Sequence, residues 1–126
     1  MKNLHLKVIL ATLWGMFLTG CASHSGLYQW GGYDTLLYQS YKNPEKTVEF
    51  RQGLELHIAT MEKTKQKVAP GLYAELGTLY LQAGDASKAV TMYTKERDTW
   101  PESRGLMDSL LTNVAKRNNV KSEVKL

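Results

Sequence analysis

The chain has 126 residues, 16 Lys and Arg against 12 Asp and Glu, and one cysteine. One cysteine excludes an internal disulfide framework and a cysteine-rich zinc site, and the length suits one small domain at about 100–200 residues each. An apolar share of 43% with 22% charged residues belongs to a globular chain and is too apolar for a disordered one.

Residues 1–20 read as an address. Lys2 and Lys7 precede an uncharged apolar run from Val8 to Leu18, the pattern of a secretory signal peptide that is later removed. The run is too short to span ~30 Å of hydrocarbon as a helix. It closes on Leu18-Thr19-Gly20-Cys21, which resembles the bacterial lipobox. That resemblance implies cleavage before Cys21 and acylation of its sulfur and nitrogen. More than one acyl chain gives stable anchoring. Ala22 after the cysteine, where Asp would retain a lipoprotein at the inner membrane, implies the outer membrane, by default on the periplasmic face. The alternative is an ordinary secreted protein in which Cys21 stands by chance. Without residues 1–20, 14 basic and 12 acidic residues remain. With no one-sided basic stripe, nucleic acid is a poor candidate partner. Lys63, Lys65 and Lys67 read as a solvated helix end near the negative pole of its dipole.

Residues 21–32, CASHSGLYQWGG, read as lipid anchor and tether, with a lone His24 and a break at Gly31-Gly32. Residues 33–118 have helical periodicity. A short helix is expected over 34–41, capped by Asp34, with Tyr33, Leu37 and Tyr41 on one face. Asn43-Pro44-Glu45 is a start signal. Phe50, Leu54, His57/Ile58 and Met61 then form one stripe on a helix over 44–66, with His57 as a half-buried core histidine. Pro70-Gly71 opens the next helix, whose apolar face is Leu72, Tyr73, Leu76, Leu79 and Tyr80. Gly84-Asp85 stops it and caps a helix that turns Ala89, Val90, Met92 and Tyr93 inward and ends at Trp100-Pro101. The last helix, 102–116, carries Leu106, Met107, Leu110, Leu111 and Val114. Residues 119–126 are polar and are expected to fray.

The 34 residues from Pro70 to Ser103 resemble a tetratricopeptide repeat. Tyr73 stands at the first large aromatic, Leu76-Gly77 at the Leu-Gly pair, and Tyr80 at the aromatic three residues beyond. Gly84-Asp85 makes the turn, Ala89 is the small residue of the second helix, Tyr93 its aromatic, and Pro101 the closing proline. Gly77 and Ala89 let two antiparallel helices approach, the tyrosines fill the crossing, and Pro101 redirects the chain. Glu96 departs from the pattern, standing where a small alanine is preferred. The expected fold is therefore all-α, of antiparallel helical hairpins, in about two and a half repeat units. A generic hairpin in a helical bundle is the alternative.

Five aromatics fall between residues 28 and 41: Tyr28, Trp30, Tyr33, Tyr38 and Tyr41. Three roles are open to them: cover for the end of the stack, a partner surface, or a belt near lipid headgroups. Gly71, Ala74, Thr78, Leu81 and Gln82 correspond to the groove-facing positions of a first repeat helix. They include no cation, so Thr78, Leu81 and Gln82 are expected to line a shallow, weakly polar groove. No nucleophile elbow, phosphate loop, zinc helix or acidic metal loop is present. The expectation is a protein that is not an enzyme, with no metal, no small-molecule substrate and no cofactor beyond the lipid on Cys21.

The chain as a whole resembles a family of small lipoproteins of Gram-negative bacteria known only as a domain of unknown function. The similarity rests on the lipobox, Tyr28 to Tyr33, Leu36 to Glu45, and Gly71 to Asp85. Members are typically encoded beside a lipoprotein resembling the curli secretion channel. The resemblance implies an outer-membrane adaptor or assembly factor with an envelope protein, such as that channel-like lipoprotein, as partner. A peptidoglycan-associated factor that activates a cell-wall synthase is the alternative.

Overall fold

A computed structural model describes residues 26–123. Five helices follow in chain order: α1 (Tyr33–Lys42), α2 (Thr47–Lys63), α3 (Leu72–Gln82), α4 (Ala86–Thr99) and α5 (Arg104–Glu123). Short 3-10 turns, Pro44–Lys46 and Pro101–Ser103, lead into α2 and α5. No strand occurs among the described residues. Each helix packs chiefly on its neighbours in sequence, the arrangement of stacked helical hairpins. The all-α expectation holds.

The core is the set of faces read from periodicity. Phe50, Leu54, Ile58 and Met61 of α2 are buried together with Leu72, Tyr73, Leu76, Leu79 and Tyr80 of α3. From α4 come Ala89 and Tyr93, and from α5 Met107 and Val114. Each fully buried large apolar side chain contributes about 1.5–3 kcal/mol. The most extensive helix contact is α3 on α4. Their three-residue connection folds the chain back on itself. A Cβ on Gly77 would lie 2.7 Å from the Tyr93 ring, so glycine is required for the helices to meet. Across the same contact the Thr78 and Tyr93 hydroxyls are 3.1 Å apart.

Helix ends show local chemistry deciding boundaries. Gly84 adopts φ 83, and the Asp85 N–H reaches back to the Tyr80 carbonyl at 2.9 Å, a glycine-terminated C-cap. The Asp85 carboxylate then accepts from the Lys88 N–H and caps α4. Four expectations are corrected. Asp34 does not cap α1: Gly32, in the left-handed region, holds the N-cap position and Asp34 lies in the first turn. Asn43 does cap, accepting from the Glu45 N–H, but the turn it starts is 3-10, so α2 begins only at Thr47. The same helix stops at Lys63, before Gln66, because Lys65 takes a left-handed φ of 55 and the Gln66 N–H bonds to the Met61 carbonyl. At the other terminus α5 runs to Glu123, into the segment expected to fray.

Two side chains expected to face inward, Val90 and Leu106, are exposed. On α1, Tyr33, Leu37 and Tyr41 share one face as expected, and Leu36 is the leucine that packs on the core. Val68, Ala69 and Trp100 join the buried set from loops, where no period marks them.

Glu96 is fully buried. Its Oε1 accepts from the Gly71 N–H at 2.8 Å and from the Ser103 hydroxyl at 3.1 Å. It therefore ties the loop before α3 to the turn before α5. The glutamate at a position where a small alanine was expected thus joins the two ends of the segment from Pro70 to Ser103.

Candidate functional site

The aromatic segment divides in two. Its first part is docked on the helices. Tyr28 stands edge-on to Trp100, with ring centroids 5.4 Å apart, and the Trp100 ring carries the Lys67 ammonium 3.5 Å from its centre. The Gln29 carbonyl lies 3.0 Å from His57 Nε2. Gly31, at φ 57, sits so close to His57 that a Cβ would meet the ring at 2.2 Å. Tyr33 packs on Phe50 at 5.8 Å. The expected tether of 21–32 is thus docked from Tyr28 onward, and Tyr28 and Tyr33, two of the five aromatics of this segment, are half-buried cover for the core. His57 is the half-buried residue expected, and its partner is a carbonyl of this segment.

The second part is exposed. Helix α1 buries no residue fully. Tyr41 is 87% exposed, Tyr38 57%, Trp30 42% and Leu37 37%. Leu37, Tyr38 and Tyr41 line an almost wholly apolar depression of about 400 Å³ with Tyr33 and Asp34. Trp30 joins this face through Tyr33, with centroids 6.1 Å apart, and the Lys42 ammonium lies 4.8 Å from the Tyr38 ring centre.

The three expected groove residues are not brought together. Thr78 donates to the Ala74 carbonyl and meets Tyr93, so it belongs to the contact between α3 and α4. Leu81 packs against the core. Gln82 alone reaches an open depression, of about 190 Å³, with Thr47, Val48, Arg51, Leu79 and Ala83. Of the repeat-packing residues, Tyr73, Leu76, Gly77, Tyr80, Ala89 and Tyr93 are buried as expected. Pro101 begins the 3-10 turn that closes the hairpin.

The ionisable groups are drawn into structure. Burial pushes the Glu62 carboxyl up, but hydrogen bonds from Lys95, at 2.6 Å, and from the Tyr73 hydroxyl, at 2.9 Å, outweigh it and leave Glu62 below its ordinary value. Burial, then the Glu62 bond, raises Tyr73 well above the phenol range. Tyr80 is pushed up to about 12 by burial and by the neighbouring Glu55 carboxylate. Burial raises Glu75, and burial raises Tyr33 with help from Glu75 and Asp34. Among the described residues, no group of three or more His, Cys, Asp and Glu side chains is placed to hold a metal ion. No helix among them is long and apolar enough to cross a membrane. Cys21 and His24 lie outside the described residues.

No curated protein and no solved structure matches the chain. A family defined by a domain of unknown function, DUF4810, matches residues 27–110, from the docked aromatic segment into α5. The chain belongs to the DUF4810 family.

Proposed function

We propose that the chain is an outer-membrane lipoprotein, anchored through Cys21, whose helical array is a non-enzymatic adaptor or assembly factor for a partner protein of the envelope. Within it, the hairpin from Leu72 to Thr99 is read as a tetratricopeptide-like repeat. Its support is the burial of Tyr73, Gly77, Tyr80, Ala89 and Tyr93 at one helix crossing. The anchor rests on the lipobox and on the single cysteine within it. The observation that carries the adaptor reading is the open flank of the array. Between α2 and α3 the apolar depression with Val48, Leu79 and Gln82 lies on the surface, and Val48 is exposed beside it. Stacked hairpins bind partners along such flanks by apolar contact. By resemblance, the partner is a lipoprotein like the curli secretion channel.

The test is a photo-crosslinking amino acid placed at Gln82 of the full-length protein in living cells. One envelope protein should be captured, and Val48→Asp, which charges the flank without touching the core, should abolish its capture. Capture of nothing, or capture indifferent to Val48→Asp, rejects the flank. Sedimentation of the protein with purified sacculi transfers it to the peptidoglycan-associated class.

A further inference from the structure

The aromatic face of α1 is a separate surface, and its place on the chain says what covers it. Cys21 lies five residues before the first described residue. Tyr28, Gln29 and Gly31 are held by Trp100 and His57. The leash is therefore residues 21–27 alone. At no more than about 3.6 Å per residue its seven residues reach at most about 25 Å. A domain of about 100 residues has a radius of gyration near 13 Å, so the leash is shorter than the domain is wide. If Cys21 carries lipid, the end of the domain formed by residues 27–41 stays against the bilayer.

The residues exposed there have the chemistry of that location. Leu27 is 95% exposed, and Trp30, Leu37, Tyr38 and Tyr41 form one surface through the contact of Trp30 with Tyr33. Rings with an apolar body and a polar tip settle at headgroup depth. Charge does not supply the attraction. Lys42 and Lys46 are matched by Asp34 and Glu45 over the same stretch, so adhesion has to come from the apolar face. A small face suffices, because a short leash holds it at high effective concentration.

We propose that the face formed by Trp30, Leu37, Tyr38 and Tyr41 rests in the headgroup layer of the phospholipid bilayer that holds Cys21, and so sets the orientation in which the domain presents its α2–α3 flank. This rests on the lipoprotein reading, and the experiment separates the two. The protein is isolated from envelopes with its modification intact, checked by whole-protein mass, and reconstituted into phosphatidylethanolamine–phosphatidylglycerol vesicles containing brominated lipid. Once residues 1–20 are removed, two tryptophans remain, Trp30 and Trp100, and Trp100 is buried. The Trp30 emission should shift to the blue and be quenched by bromine. Trp30→Phe should remove the quenched component. The double change Tyr38→Ser with Tyr41→Ser should restore unquenched emission, with helicity unchanged by circular dichroism. High salt should leave the quenching in place. Unquenched Trp30 emission in protein that carries lipid overturns the proposal and assigns the face to a protein partner. If the mass shows no lipid, the lipoprotein reading fails. The sole thiol, Cys21, is then coupled to a maleimide phospholipid in the same vesicles. Quenching there upholds the membrane affinity of the face, and its absence overturns it.

Discussion

Gly77 and Gly53 show how two residues of one type differ in consequence. At Gly77 an added methyl meets the Tyr93 ring at 2.7 Å and the Ala89 carbonyl at 3.3 Å. Tyr93 is buried and cannot swing away. Gly77→Ala is expected to cost about 1–3 kcal/mol through overpacking, exceeding the roughly 1 kcal/mol that alanine gains in a helix. At Gly53 the same methyl meets the end of the Leu36 side chain, which is half-buried and can change rotamer. Gly53→Ala should be neutral or slightly stabilising. Urea denaturation of both variants checks the contrast. Glu96 is a sharper case. Resemblance to the repeat suggests alanine there, but Glu96→Ala strands the Gly71 N–H and the Ser103 hydroxyl. A loss of about 2–4 kcal/mol is expected. Glu96→Gln keeps an oxygen for both donors and should lose less. Equal losses would show that volume, and not hydrogen bonding, sets the demand at this position.

For whole helices, the boundaries followed capping chemistry more closely than apolar period. Asp85 is legible as a cap because Gly-Asp is a stop followed by a start, and Asp85→Ala is expected to lower the thermal midpoint by removing the bond to the Lys88 N–H. Lys65 was not legible. A lysine carries no sign that it will occupy the left-handed region at the end of α2, a conformation that costs an L-residue roughly 1–2 kcal/mol. Lys65→Gly relieves that strain and loses part of the gain to chain entropy. A net stabilisation of about 0.5–1 kcal/mol in the denaturation midpoint is expected. On α1 the leucine that packs inward is not legible for a related reason. In ten residues, Leu36 and Leu37 are both apolar, and only the position of α2 decides that Leu36 packs inward and Leu37 outward.

At the scale of the molecule, pH response follows from the groups shared between helices. Glu62, on α2, receives Tyr73 from α3 and Lys95 from α4. Its folded pKa is depressed, so its stabilisation is present at neutral pH and is lost as pH falls through the folded value. Tyr80 is raised from 10.0 to about 12. The folded state keeps its proton longer than the unfolded one, so this contribution is intact below pH 10 and is lost as pH rises from there to about 12. Tyr33 and Tyr73 are raised in the same direction. Thermal melts across the range should fall off at both ends. Tyrosinate absorbance in the folded protein should rise later than in urea. Glu62→Gln should flatten the acid limb and, by removing the carboxylate that helps raise Tyr73, lessen the alkaline one as well.

The sequence by itself determined the helical class, the turn at Gly84-Asp85, and the buried faces of α2 and α3. These follow from local rules of period and capping that each segment carries alone. The tertiary structure decided which aromatics are core and which are surface. Tyr28 and Tyr38 are the same residue type ten positions apart, and only the location of Trp100, far along the chain, makes one a packing residue and leaves the other exposed. It also decided the role of Glu96, whose donors lie 25 residues before it and 7 after. A hydrogen bond across such separations leaves no period in the sequence. The same holds for the docked segment at His57, whose partner is 28 residues away.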